Sequence, residues 1–308
     1  MNAATLNSHR LWAYLQLMRP ANIVTSWADV LAGFAASGSI MFLNTEGQSV
    51  LATLVPLACL LVATTGLYGG GVVFNDVFDA ELDSQERPER PIPSGRASRQ
   101  GAILLGSLLL LVGIVAAFQV SWLSAILAPS IAVTALLYDA FGKHHPVLGP
   151  LNMGVCRGGN LLLGISVVPA MVGEYWFLAL IPIVYIAAVT AISRGEVHGT
   201  KGNTGIIALL LIGIVIAGLV GLGLLKDYKI LAALPFLALF AGRVLLPFIK
   251  AVREPTPNQI RMAVKAGVLS LIVLDATVAA GFSSLFYGLL VLSLLPLSIA
   301  LAQIFAVT

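Results

Sequence analysis

One stretch of the chain gathers most of the groups that could do polar chemistry. It runs Asn75-Asp76-Val-Phe-Asp79-Ala-Glu-Leu-Asp83 and continues Ser-Gln-Glu-Arg87-Pro-Glu-Arg90-Pro-Ile-Pro-Ser-Gly95-Arg96. On a continuing helix Asp76, Asp79 and Asp83 stand at i, i+3 and i+7, with Asn75 and Asp79 at i, i+4, so their oxygens share one face. Carboxylates crowded in this way repel and need a cation. Hard oxygen ligands beside a phosphate select Mg²⁺, which bridges one or two carboxylates to the phosphate oxygens. Arg87 and Arg90 add permanently charged forks for phosphate, and the prolines among them stop the helix and stiffen the loop. The ordinary alternative is a solvated acidic loop paired with its own arginines. Here, however, the acids begin at the end of an apolar helix, directly after Gly69-Gly70-Gly71. Ionisable groups in such places are costly and usually functional.

The elements that carry these residues are those of an integral membrane protein. Of 308 residues, 58% are hydrophobic and only 10% are charged, against roughly 25% charged in a soluble domain. Mean hydropathy is +0.97. A bilayer span needs about 20 mostly apolar residues. Candidate spans are Ile23–Phe42, Leu51–Phe74, Ala102–Phe118, Ser121–Tyr138, Val147–Ala170, Trp176–Ile192, Thr204–Leu225, Ile230–Ile249, Ala266–Phe282 and Leu285–Ala306. The last two lie close together and Asp275 interrupts the ninth, so nine and ten crossings both fit. The expected fold is all-α, one transmembrane domain over residues 1–308. Residues 1–20 form an interfacial helix ahead of the first span, where Leu11, Trp12, Tyr14, Leu15 and Met18 suit a position along the membrane surface. Met1–Pro20 lacks the apolar core of a cleavable signal.

Charge placement orients the bundle. The N-terminal segment and the loops after spans 2, 4, 6 and 8 hold Arg10, Arg19, Arg87, Arg90, Arg96, Arg99, Lys143, Arg194, Lys201, Lys250, Arg253, Arg261 and Lys265. The opposite loops hold Lys226 and Lys229. The positive-inside rule puts the crowded side in the cytoplasm, and a prokaryotic plasma membrane is the expected location. The net charge of +3 therefore reflects topology and an anionic ligand, not nucleic acid. Cys59 and Cys156 lie within spans and form no disulfide or metal framework.

The acidic stretch resembles the first aspartate-rich motif of the UbiA superfamily of membrane prenyltransferases: Asn-Asp-x-x-Asp-x-x-x-Asp, then Arg-Pro-x-Arg-Pro-Ile-Pro-Ser-Gly. Arg19-Pro20-x-Asn22 is similar to the family's entry motif, and Tyr138-x-x-x-x-Lys143 to its Tyr-x4-Lys element. Asn152 and the glycine-rich fifth span fit as well, so the likeness covers about residues 15–250. The Arg-Pro-Ile-Pro-Ser-Gly-Arg wording is closest to the chlorophyll-synthase-like, archaeal ether-lipid and EboC-like branches. The resemblance implies nine helices around a central cavity capped by cytoplasmic loops. It also implies Mg²⁺-dependent transfer of a prenyl group from its diphosphate to an aromatic ring, a tetrapyrrole carboxylate or a lipid alcohol. Carried onto this chain, Asn75, Asp76, Asp79, Asp83 and Glu196 would hold Mg²⁺, with the three aspartates catalytic. Arg87, Arg90, Tyr138, Lys143 and Lys201 would bind the diphosphate. Arg19, Asn22, Asp29, Asn152 and Arg157 would form the acceptor pocket.

One departure stands out. The family's second aspartate-rich motif, after the sixth span, is reduced here to Ser193-Arg194-Gly195-Glu196-Val197-His198-Gly199-Thr200-Lys201. Glu196 is its sole carboxylate, and His198, like His144 and His145, is either a ligand or simply a solvated loop residue. The loops after spans 2 and 6 are expected to converge over one cavity. Three readings stay open: an active prenyltransferase, a protein of the same fold that binds or hands over a polyprenyl or metabolite intermediate, and a secondary transporter. The last should show matching broken helices in two halves, and no such repeat is visible. Asp275 has no partner that the sequence names.

Overall fold

The computed structural model describes residues 3–40, 50–143, 145, 147–193 and 204–305, with side chains from Arg10 onward. Every regular element among them is helical. The order is α1 (Ala3–Met18), α2 (Pro20–Ala36), α3 (Val50–Phe78), α4 (Ala80–Glu86), α5 (Arg99–Phe118) and α6 (Trp122–Leu137) with a π-helical turn (Tyr138–Gly142). There follow α7 (Leu148–Ile165), α8 (Pro169–Tyr175) and a 3₁₀ turn (Trp176–Ala179) into α9 (Leu180–Ser193). The remainder is α10 (Thr204–Gly221), α11 (Ile230–Arg253), α12 (Pro257–Phe282), α13 (Leu285–Leu292) and α14 (Leu294–Ile304).

Among the described residues eight helical stretches are long and apolar enough to cross a bilayer. This falls short of the expected nine or ten, and the two missing spans share a physical cause. Helix α2 has 17 residues and α7, with 18, carries Asn152, Arg157 and Asn160. Both are polar-faced helices of the bundle interior. Fifteen of the residues of α2 are buried. Helix α12 also runs through the middle, buried at every position from 269 to 282. The apolar side chains of α5 and α10 instead face outward, Leu104, Leu111, Ile207 and Leu210 among them, as lipid contact requires.

Close backbone contact fixes the central pair. A Cβ added to Gly33 would lie 2.9 Å from the Cα of Gly164, so only glycine allows α2 and α7 to meet there. Small residues at a helix interface serve this purpose in membranes. Asp29 lies one turn before Gly33, and Asn160 one turn before Gly164. The glycine contact therefore brings these polar groups face to face. Helix α1 lies against the same end of the bundle, with Ala13 and Leu17 buried among Val73, Val77, Ala97 and Ala102. Leu11 and Trp12 stay exposed, in keeping with an interfacial helix. At the chain's other end Trp12 stacks on Phe305 with ring centroids 4.7 Å apart.

Candidate functional site

The expected single helical row of aspartates does not form. Helix α3 stops at Phe78 and α4 restarts at Ala80, with Asp79 as the joint between them. The i→i−4 backbone bonds still run through this joint, from Asp79 N to Asn75 O at 3.0 Å and from Asp83 N to Asp79 O at 2.8 Å, and the side chains part in their partners. Asp83 Oδ2 accepts a hydrogen bond from Arg90 Nη1 at 2.7 Å, and Asp76 Oδ1 lies 3.4 Å from the same nitrogen. Asp76 Oδ1 also accepts from Arg19 Nη2 at 2.7 Å. Asp79 forms an ion pair with Lys143. Each aspartate is thus matched with a base, and among the described residues no three His, Cys, Asp or Glu side chains gather at metal-ligand spacing. As donors Asn75, Asp79 and Asp83 still suit Mg²⁺, being hard oxygen ligands at a phosphate-sized cavity. They would have to draw together around it.

Local structure explains how the bases arrive. Arg19 has φ 47°, a left-handed conformation that costs a non-glycine residue about 1–3 kcal/mol and persists only when its surroundings fix it. Pro20 behind it and Asp76 in front supply that constraint. The Arg87–Ala97 loop folds on itself, with Ser94 N bonded to Arg90 O at 3.0 Å and Ala97 N to Pro91 O at 2.9 Å. Gly95 supplies the positive φ of 74° that this turn needs. Arg96 Nη1 ties the loop to Gln16 Oε1 of α1 at 2.8 Å.

The π turn after α6 shapes the opposite wall. Lys143 N bonds to Tyr138 O at 3.0 Å, and the widened turn sets Tyr138 and Asp139 on the cavity wall while Lys143 reaches Asp79. Such turns recur at functional sites. Asp139 Oδ1 accepts from Asn75 Nδ2 at 2.8 Å. The sequence motifs do not include Asp139, although an acid at the very end of an apolar span, next to the Tyr-x4-Lys tyrosine, is a signal that could have found it. His145 Nδ1 accepts from Leu148 N at 3.1 Å and caps α7, so its role is structural.

These groups surround a cavity of about 510 Å³, within the usual size range of small-molecule sites. Its mouth holds Arg19, Asn22, Asn75, Asp79, Asp83, Arg87, Arg90, Tyr138 and Asp139; its apolar wall includes Leu67, Val72, Ile131, Met153, Ile186 and Val268. A smaller hollow beside it is lined by Asp79, Asp139 and Lys143. Arg157 and Asn160 line the same cavity. Arg157 Nη1 donates to Asp29 Oδ2 at 2.8 Å and Asn160 Nδ2 donates to the same oxygen at 2.9 Å. The Arg157 guanidinium sits over the Tyr68 ring at 4.8 Å.

Two expected acceptor residues are placed differently. Asp29 is fully buried and meets the cavity through Arg157. Asn152 is absent from the lining and lies beside Gly142 of the π turn. Glu196, His198, Lys201 and His144 lie outside the described residues. Ser193, which precedes the reduced second motif, lines the cavity.

A family model, UbiA prenyltransferase family, matches residues 30–266. The chain belongs to the UbiA prenyltransferase family. Its curated relatives include the digeranylgeranylglyceryl phosphate synthases of Methanothrix thermoacetophila and Ignicoccus hospitalis. The first is 33% identical over 150 residues, which is 49% of this chain and 52% of the relative. The second is 31% identical over 199 residues, 64% of this chain and 61% of the relative. The chain thus spans between half and two thirds of their length. Among solved structures, a UbiA homologue from Archaeoglobus fulgidus superposes with a TM-score of 0.65 at 16% identity, over 91% of this chain and 99% of the other. One from Aeropyrum pernix K1 gives 0.65 at 16% identity over 83% and 96%. A solved digeranylgeranylglyceryl phosphate synthase gives 0.64 at 21% identity over 89% and 98%. The fold is therefore that of the family.

Proposed function

We propose that this UbiA-family protein transfers a prenyl group from a prenyl diphosphate to an acceptor held in the same cavity, with Mg²⁺ as cofactor. The observation that carries the reading is the lining of that cavity. Acids and bases, an extensive apolar wall and Arg157 all face the one space. Arg87, Arg90, Tyr138 and Lys143, joined by Lys201, hold the diphosphate oxygens. Asn75, Asp79 and Asp83, with Asp139 and Glu196, would hold Mg²⁺, while Asp76 anchors Arg19 and Arg90. Bound there, Mg²⁺ would supply Lewis-acid stabilisation of the charge that grows on the leaving diphosphate. The allylic C–O bond breaks with its electron pair passing to the diphosphate, and the apolar wall keeps water from the allylic cation until the acceptor attacks. Preorganised charge of this kind is commonly the largest catalytic term.

The relatives' names favour a lipid-alcohol acceptor over an aromatic ring or a tetrapyrrole. The bundle crosses the membrane ten times, α2 and α7 adding to the eight longer spans. Tyr287 donates to Leu31 O and Ser298 to Ala21 O, so the C-terminal helices return antiparallel to α2 and both chain ends share a side. The charge asymmetry puts that side, with the cavity mouth, in the cytoplasm.

The test is mass spectrometry of purified protein incubated with Mg²⁺, prenyl diphosphates of increasing length and a lipid extract. A product heavier than its acceptor by one prenyl unit, absent without Mg²⁺, is expected. Tight prenyl diphosphate binding with no product would favour the hand-over reading, which the reduced second motif supports.

A further inference from the structure

The buried cluster around Arg157 contains an unresolved hydrogen-bond count. Asp29 Oδ2 is doubly bonded, to Arg157 and Asn160. Asp29 Oδ1 and both oxygens of Asp275 are buried without a donor. Asp275, on α12, is fully buried and lies within hydrogen-bonding reach of Asp29. Two carboxylates cannot bond to each other, because both only accept. A single proton between them satisfies Asp29 Oδ1 and one oxygen of Asp275 together.

Charge leads to the same result. With both acids ionised, Arg157 alone would face two carboxylates, leaving one net negative charge inside the bundle, where unpaired charge is very costly. The other titratable groups around the cluster do not relieve it. Tyr185 of α9 donates to Gly267 O at 2.7 Å, and Tyr287 of α13 to Leu31 O at 3.2 Å. Tyr68 of α3 lies under the Arg157 guanidinium. Arg243 of α11 makes no bond to either oxygen of Asp275. The proton is placed on Asp275, since Asp29 Oδ2 already accepts from a guanidinium and an amide, whereas neither oxygen of Asp275 has a donor.

We propose that Asp275 is a neutral carboxylic acid that donates its proton to Asp29, and that this pair positions Arg157 to receive the anionic head of the acceptor. The second half rests on the reading of the cavity as a prenyl-transfer site. Arg157 has five N–H donors. One is used on Asp29 and one on Thr25 Oγ1, and the residue lines the cavity. With Asp275 neutral, Asp29 and Arg157 cancel, and an arriving anion meets free donors without net repulsion. An ionised Asp275 would repel it. Asp275 is thus a positioning residue, acting through Asp29 and Arg157.

Infrared spectra and binding test the two halves separately. In ester-free detergent, the difference between parent and Asp275→Asn should show the loss of a protonated-carboxyl carbonyl band. No lost band means that Asp275 is ionised, which overturns the proposal. Calorimetry then compares a long-chain alkylglyceryl phosphate with the alkylglycerol of the same chain. Asp275→Ala and Arg157→Gln should weaken the phosphate about tenfold or more, equivalent to about 1.4 kcal/mol, and leave the alcohol unchanged. Asp275→Asn, whose amide can donate to Asp29 as the acid does, should restore affinity to near the parent's. Failure of that rescue overturns the proton-sharing role, and undiminished phosphate binding by Arg157→Gln overturns the anion role. Parent protein that binds neither lipid overturns the anionic acceptor, whereas the product assay above separately decides prenyl transfer.

Discussion

Replacing Asp76 by Ala should destabilise the protein, whereas replacing Asp79 by Ala should silence it without unfolding it. Asp76 is 5% exposed and serves two arginines, with Arg19 at 2.7 Å and Arg90 at 3.4 Å. Removing one partner of a fully buried ion pair costs about 3–5 kcal/mol. The guanidiniums here keep 16% and 17% side-chain exposure, so solvent screening reduces that cost. Release of the left-handed strain at Arg19 returns about 1 kcal/mol more. A net loss of about 2 kcal/mol remains, worth roughly 3 °C of melting temperature for a chain of this size. Asp79, by contrast, shares a more open pair with Lys143, at 18% and 14% exposure. Its removal should cost about 1 kcal/mol or less. It would nevertheless take away a metal-facing carboxylate and, with it, roughly 10²-fold or more in Mg²⁺-dependent turnover. Thermal melts followed by tryptophan fluorescence in detergent, alongside the product assay at matched protein levels, read both effects. The reasoning is refuted if Asp76→Ala melts with the parent, or if Asp79→Ala keeps normal turnover.

Three further outcomes follow from the same geometry. Lys143→Met should weaken prenyl diphosphate binding about tenfold by calorimetry, because its ammonium is the base on the π-turn wall; unchanged binding would place the diphosphate elsewhere. Gly164→Leu should drive α2 and α7 apart, destabilise the bundle by about 1–3 kcal/mol of overpacking, read as a lower melting temperature, and reduce acceptor binding, while the parent's stability in that variant would show that the backbone contact is dispensable. Glu196→Ala should reduce Mg²⁺-dependent prenyl diphosphate binding. Binding equal to the parent's would make the second motif vestigial and move the balance towards a hand-over protein.

The spans were readable because apolar runs dominate the composition, and the polar motifs because they interrupt those runs. What escaped the sequence depended on distant pairing. Ala80-Glu-Leu-Asp83 favours helix, so nothing local announces the break at Asp79, whose carboxylate pairs with the distant Lys143. The π turn leaves no residue signature, and Asp139 is brought to the cavity only by that extra residue. Arg157 needed a partner by the logic of the membrane interior, yet Asp29 lies 128 positions away. Only the meeting of Gly33 with Gly164 reveals the match. Helices α2 and α7 counted as spans on their flanking apolar residues, although their polar faces make them the interior of the bundle.

The ion pairs at the mouth bear directly on how a diphosphate could enter. Four acids stand there buried or half-buried, Asp76, Asp79, Asp83 and Asp139, and four half-buried bases face them, Arg19, Arg87, Arg90 and Lys143. The pairs Arg19–Asp76, Arg90–Asp83 and Lys143–Asp79 can hold the mouth together without a ligand. A diphosphate brings oxygens that compete for Arg90 and Lys143. Its accompanying cation competes in turn for Asp79 and Asp83, the carboxylates those bases would release. Neither exchange alone is favourable, since each would strand a charge in a partly dry site. Made together they give each released acid and base a new partner. Metal and diphosphate should therefore bind with positive coupling, each weakly alone. The reduced second motif sharpens that expectation, because a site with fewer fixed carboxylates depends more on the diphosphate to complete its metal coordination.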